Sequence, residues 1–225
     1  WLLQGNAYLG NDNPMAAARN IEVVRRMGQA GLASLTLLGD IYINLDAADP
    51  ALDAYLAALE IAHQQDRKSL IRAAEIFIRS ANYAQGKALI ARTREHFGSD
   101  LDTASDLKLL SLEATIARHE GDQATALSTL KHIIERDALN GDAIIELGTL
   151  YAAQGDLPRA INRFQQAAQI AASARAALIA HAQALVSNAD YQAALPLLRR
   201  ALEMQPDNQL QQYVERVERA ARNKG

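Results

Sequence analysis

The 225-residue chain contains no cysteine. Disulfides, thiolate nucleophiles and cysteine-based zinc sites are therefore excluded. Cysteine-free chains are common both in the bacterial periplasm and in the cytosol, so this absence does not identify the compartment and only leans toward the bacterial periplasm over the cytoplasm. Long hydrophobic runs are also missing: Arg, Asp, Glu or Gln interrupts every apolar stretch before it reaches the roughly 18 residues that a bilayer-spanning helix needs. Direct membrane insertion is not expected. Nor does one sign of charge dominate, since 23 Lys and Arg face 26 Asp and Glu for a net charge of -3. A nucleic-acid partner normally demands a strongly basic domain or stripe, so none is expected. The chain starts at Trp1, without an initiator Met and inside a helical pattern, which suggests a piece of a longer or processed protein.

Hydrophobic residues make up 49% of the chain, ample for a buried core. They are arranged in a repeat. In ELGTLYAAQGDLPRAINRFQQAA, residues 146–168, Gly148 lies on one apolar stripe and Ala160 on a second, with a break at Gly155-Asp156 between them. Gly148 has equivalents at Gly5, Gly39, Ala74, Ala114 and Ala182, separated by steps of 34, 35, 40, 34 and 34 residues. Ala160 recurs as Ala17, Ala51, Gly86, Ala126 and Ala194 in the same steps. Four residues past each of the latter stands a bulky apolar residue: Ile21, Tyr55, Ile90, Leu130, Phe164 and Leu198. Four before each of the former stands Trp1, Leu35, Leu70, Leu110, Ile144 or Leu178. Two helices that each present a Gly or Ala can approach closely while larger side chains a turn away fill the flanks.

Turn and helix-start signals fall between the two stripes at Asn11-Asp12-Asn13-Pro14, Asp49-Pro50, Gly121-Asp122, Gly155-Asp156 and Asn188-Ala189-Asp190. In Asp49-Pro50 the Asp is expected to cap and the Pro to open the helix. The 40-residue step implies about six extra residues around 97–102, lengthening a loop or helix ends. Beyond Pro206, Leu210, Tyr213, Val214, Val217 and Ala221 share one face of a capping helix whose other face is polar.

Searches for chemistry find nothing. Among His63, His96, His119, His132 and His181 no pair has the i, i+4 spacing of a helical metal site, and HExxH is absent. His181 is expected to be a packed, hydrogen-bonded imidazole. The stretch around Gly86-Lys87 lacks the leading Gly and the Ser or Thr of a phosphate loop, and neither GxSxG nor an EF-hand loop occurs. Paired acids such as Asp46 with Asp49 sit where helix starts and solvent account for them. No catalytic residue, metal or cofactor is expected.

The spacing resembles the tetratricopeptide repeat, a helix-turn-helix unit of 34 residues. Its Leu, Gly, Tyr, Ala, Phe and Ala sites are matched at Leu147, Gly148, Tyr151, Ala160, Phe164 and Ala167, whereas Gln4, Ala73, Glu113 and His181 replace the family's first-helix Leu. The resemblance implies an all-α, right-handed superhelical solenoid. One array over 1–225 would hold six repeats at about 1–31, 32–66, 67–106, 107–140, 141–174 and 175–208, then a capping helix over 209–222.

In the family the first helix of each unit lines the concave binding surface. Carried onto this chain, that implies binding residues at Asn6, at Asp40 and Asn44, at Lys68, Arg72, Glu75 and Arg79, and at Lys108, Arg118 and His119. The centre of this row is basic, which suits an acidic or carboxylate-bearing peptide. The bland alternative is that long basic side chains merely solvate a helix face. The family's carboxylate clamp is incomplete: Asn6, Lys68 and Arg72 match it, but Leu2 and Leu37 do not. The expected role is a non-catalytic scaffold that binds a protein or peptide in a bacterial multiprotein assembly. The alternative is the recognition arm of a larger enzyme, or of an exopolysaccharide or secretion exporter. Self-association through repeat ends or grooves is a third possibility.

Overall fold

The computed structural model describes residues 1–224, apart from the side chains of Asn6 and Lys224, and no strand forms among them. The helices fall into two compact units, Trp1–Gly121 and Asp122–Gly225. The first holds α1 (Leu2–Gly10), α2 (Pro14–Arg26), α3 (Leu32–Asn44), α4 (Ala48–Glu60), α5 (Arg67–Arg79), α6 (Tyr83–Phe97) and α7 (Thr103–His119). The second holds α8 (Gln123–Arg136), α9 (Gly141–Ala153), α10 (Leu157–Ala168), α11 (Ala174–Ser187), α12 (Tyr191–Met204) and α13 (Asn208–Lys224).

Within each unit, sequential helices form hairpins that stack on one another. In the first, α1 packs on α2, α3 on α4 and α5 on α6, while α3 touches α5 and α5 touches α7. In the second, α9 packs on α10 and α11 on α12, and α9 touches α11. All twelve Gly and Ala positions of the two series are buried, as the close-approach reading requires. The bulky residues after the second-helix series are buried without exception. Those before the first-helix series depart twice. Trp1 is the N-cap residue of α1 and is 62% exposed, so it fills no core. Leu110 is only half-buried, because α7 turns Leu109 and Leu112 inward in its place.

A further series in the same register governs the turns. Asp12, Asp46, Ala81, Gly121, Gly155 and Ala189 each lie seven residues after the small first-helix residue, and all have φ between 54 and 79°. This is the left-handed residue that ends a helix, with two backbone N–H groups returning to the last turn. In the second unit Gly155 N donates to Ala152 O and Asp156 N to Tyr151 O. Asp156 then caps α10 by accepting from Arg159 N at 3.0 Å. At the second turn the register places the left-handed residue at Asp46 and the N-cap at Ala47. Asp49 therefore lies inside the first turn of α4, not at its cap, and its carboxylate accepts from Gln85 Nε2 at 2.7 Å.

Alanine in a left-handed conformation costs about 1 kcal/mol or more, against a smaller extra loss of backbone entropy for glycine. Ala81→Gly and Ala189→Gly are each expected to raise stability by roughly 0.5 kcal/mol. Urea denaturation checks this: a higher midpoint at constant slope is the expected result, and a lower midpoint would show that the turn is unstrained.

The extra residues near 97–102 become one more stretch of α6, a 3₁₀ turn at Gly98–Asp100 and an earlier start to α7. Phe97 is buried there. Asp102 caps α7 through Ser105 N and pairs with Arg67, whose Nη1 also donates to Gln64 O at 3.0 Å. Bonds from Ser105 and Arg67 hold the Asp102 carboxyl down to about 2. At the other end, Leu210, Val214 and Val217 of α13 are buried in the core that α11 and α12 supply, and Arg199 holds Glu218 at 2.7 Å. The expected capping face is the one used.

Candidate functional site

Register places the first-helix residues. Asp40 follows Gly39, which is pressed against the ring of Tyr55; the same proximity lets the Tyr55 hydroxyl donate to Asp40 Oδ1 at 2.6 Å. Burial, and then this bond, push the Tyr55 phenol well above its ordinary range, so it remains a donor at any physiological pH. The ring itself is fully buried and meets Phe77 edge-on, with centroids 5.5 Å apart. Asp40 is thereby fixed from beneath. Its second oxygen accepts from Arg72 Nη2 of α5 at 3.1 Å.

One turn along α5, Glu75 accepts from Lys108 Nζ of α7 at 3.1 Å. Between α5 and α7 lies an open cleft of about 240 Å³ lined by Lys68, Ile71, Arg72, Glu75, Ala104, Ser105 and Lys108. Its floor is Ile71 and Ser105, both buried, and its rim is charged. Lys68 makes no ion pair among the described residues. Both ion pairs are well exposed, with Arg72 at 60% and Lys108 at 46%, so they orient side chains more than they stabilise the fold. Asp40 and Glu75 offset two of the three cations, which leaves the rim with one net positive charge rather than the strongly basic row that the α5 and α7 residues alone suggest.

Of the sequence-expected residues, Asp40, Lys68, Arg72, Glu75 and Lys108 are thus linked by contacts or share this cleft. Arg79, Arg118 and His119 do not line it. They occupy the last turns of α5 and α7, where the Arg79 and Arg118 cations complement the exposed carbonyls. His119 stacks on Tyr83 of α6 with ring centroids 3.7 Å apart. Asn44 is exposed at the end of α3 and outside the cleft. Asn6 lies in α1, its side chain outside the described residues. The residues that sequence reasoning missed are Tyr55, Ile71, Ser105 and Ala104. Tyr55 was legible as the bulky residue paired with Gly39, but its support of Asp40 requires the closed hairpin.

The other notable titratable group is His181 of α11. It stacks on Phe164 at 5.8 Å, and burial pushes its pKa down. No hydrogen bond to it is found among the described residues, so aromatic stacking replaces the hydrogen-bonded imidazole expected from the sequence. Among the described residues, no three His, Asp or Glu converge as a metal-binding group, and no helix is long and apolar enough to cross a membrane.

Comparison with known proteins agrees with this geometry. A tetratricopeptide-repeat family model matches residues 2–66 and 179–214. Over 105 residues, 45% of this chain, the sequence is 33% identical to cellulose synthase 2 operon protein C of Komagataeibacter xylinus, and the stretch spans 8% of that protein's length. Among solved structures, a thermophilic TPR protein of Thermus thermophilus aligns with a TM-score of 0.61 at 19% identity, covering 83% of this chain and 98% of its own. PilF of Pseudomonas aeruginosa aligns with a TM-score of 0.57 at 12% identity over 95% of this chain and 94% of its own. YrrB, described as a TPR protein with an unusual peptide-binding site, gives 0.53 at 16% identity, over 87% of this chain and 96% of its own. Residues 2–66 and 179–214 thus match the tetratricopeptide-repeat family, and the twelve buried small residues and the recurrent left-handed turn repeat one register along the chain, a fold it shares with the solved TPR structures.

Proposed function

We propose that this chain is a non-catalytic scaffold that binds an extended, carboxylate-bearing segment of a partner protein along its first-helix face. The observation that carries the reading is the α5–α7 cleft, where Lys68, Arg72 and Lys108 surround a floor of Ile71 and Ser105 and Arg72 is oriented by Asp40. With one N–H of its guanidinium engaged, Arg72 keeps further donors for an incoming carboxylate. Lys68 supplies a second positive group on the same rim. Asp40 and Glu75 repel an acidic ligand placed over them, which confines it to a register set by Lys68 and Lys108.

The test is fluorescence anisotropy with a labelled Glu/Ala peptide and its Gln/Ala counterpart. Lys68→Glu combined with Lys108→Glu should weaken the acidic peptide about tenfold or more. The loss should shrink at high salt, as exposed charges are screened. Equal affinity of parent and variant, or of the two peptides, would refute the reading.

A second reading makes the chain the recognition arm of a much longer enzyme or exporter. It is supported by the similarity to cellulose synthase 2 operon protein C, of which this stretch spans only 8%. That reading changes where the scaffold acts, not how it binds.

A further inference from the structure

The second helices of the first unit carry chemistry of their own. Ala51 of α4 and Gly86 of α6 are equivalent in the repeat, and nine residues beyond each stands a glutamate, Glu60 or Glu95. Because α4 and α6 pack on one another, both acids fall in the last turns of neighbouring helices. An acid is the unfavourable choice there, since the last-turn carbonyls already carry partial negative charge. The last turn of α4 has no basic residue to offset them, and Arg94 of α6 is committed to Glu113 and Asp106. Local rules broken without a compensating contact concentrate at functional sites.

At these ends an open cleft of about 300 Å³ is lined by Leu56, Leu59, Glu60, Arg92, Glu95 and His96. Leu59 is buried and Leu56 half-buried, which makes an apolar floor. Arg92 Nη1 donates to Glu95 Oε2 at 2.6 Å, an exposed pair that leaves the other Glu95 oxygen open. The Glu60 carboxylate has no hydrogen bond or ion pair among the described residues. His96 is held through Nε2 against Ala62 O at 3.1 Å and meets Phe97 edge-on with centroids 4.8 Å apart, so its ring is a fixed wall. Two carboxylates against one guanidinium leave the lining negative, and both helix ends add to that field. An anion is repelled here, and a neutral group leaves Glu60 uncompensated.

We infer that this cleft docks an arginine side chain of a partner protein. The aliphatic stem of arginine covers Leu56 and Leu59, its forked N–H groups take both Glu60 oxygens, and its plane stacks on the imidazole of His96. A lysine ammonium matches the charge but neither the fork nor the plane. The cleft lies on second helices, so the inference rests neither on the α5–α7 cleft nor on any ligand along the first-helix row.

The experiment is an NMR titration of the ¹⁵N-labelled whole chain with N-acetyl-argininamide, and separately with N-acetyl-lysinamide and the uncharged citrulline analogue. Argininamide should shift the backbone amides of residues 56–61 and 92–97 saturably. Lysinamide should bind about threefold more weakly, and the citrulline analogue should leave these amides in place. Glu60→Gln should weaken argininamide about fivefold while the thermal midpoint holds or rises, because an acid leaves a helix C-terminus. If that variant is destabilised, Glu95→Gln carries the test. Arg92→Gln should tighten binding by freeing Glu95. Asp53→Asn removes an exposed carboxylate of α4 outside the cleft and should change nothing. Absent shifts, equal shifts with the citrulline analogue, or equal losses from Asp53→Asn and Glu60→Gln would overturn the assignment. So would movement of the same amides on diluting the protein alone, which would give the cleft to a second copy of this chain.

Discussion

Gly148→Ala is expected to lower the stability of the chain by about 3 kcal/mol, and Gly39→Ala by a similar amount. A methyl group on Gly148 would stand 2.7 Å from Phe164 Cε1 and 3.2 Å from the backbone oxygen of Ala160. On Gly39 it would stand 2.5 Å from both Cε1 and Cζ of Tyr55. Tyr55 has no room to retreat, and Phe164 is backed by the stacked ring of His181. Phe164 and Tyr55 are fully buried, and Tyr55 is also tied to Asp40. The helices must separate instead, which loosens contacts on both sides of the hairpin. Gly5→Ala is the control: its new methyl would sit 3.5 Å from Ile21, an ordinary contact, and the higher helix propensity of Ala should raise stability by about 0.5–1 kcal/mol. Thermal unfolding would read these as a fall on the order of 8 °C for the first two and a small rise for the third. Gly148→Ala joined to Phe164→Leu should recover most of the loss, because a slimmer, more flexible side chain yields space. A neutral Gly148→Ala would mean that the hairpin is not held by close approach at this point.

That expectation follows from a pairing which the sequence already contains. Sixteen residues after Gly39 and Gly148 stand the aromatics Tyr55 and Phe164, whereas Ala74, Ala114 and Ala182 are followed at the same distance by the aliphatics Ile90, Leu130 and Leu198. The smaller residue goes with the larger partner. Gly5 with Ile21 is the one pair with room to spare. Hairpins, register and the capping helix were legible because each depends on spacing alone, and a 34-residue period leaves few alternatives. The turns were less so. Nothing in Asp46 or Ala81 announces a left-handed backbone, since neither is glycine, and the Asp49-Pro50 pair drew attention two residues too far along. The candidate site was legible only as a row of first-helix residues. Whether Asp40 turns toward Arg72, or His119 toward Tyr83, depends on which neighbour the packed hairpins bring within reach, and that distance is not encoded in any one helix.

Arg94→Ala is expected to cost about 2 kcal/mol, intermediate between exposed and fully buried ion pairs. Glu113 occupies a site that is apolar in the family, and α7 tolerates it because α6 supplies the counter-charge. Arg94 Nε donates to Glu113 Oε1 at 2.7 Å and Arg94 Nη1 to Asp106 Oδ1 at 2.5 Å. All three side chains are two-thirds or more buried, with exposures of 30, 33 and 22%. Burial works against the charged guanidinium, but the bonds from Glu113 and Asp106 outweigh it and hold its pKa above the ordinary value. Deleting the guanidinium strips both carboxylates of the cation they share in a poorly hydrated position. Arg94→Met combined with Glu113→Leu should recover about half of that loss, because apolar packing substitutes for the Arg94–Glu113 pair without its desolvation cost while Asp106 still lacks the Arg94 cation. Urea denaturation of the two single variants and the double variant yields the coupling directly. A loss below about 0.5 kcal/mol for Arg94→Ala would assign the trio to the solvated surface, and the divergent Glu113 would then need another account.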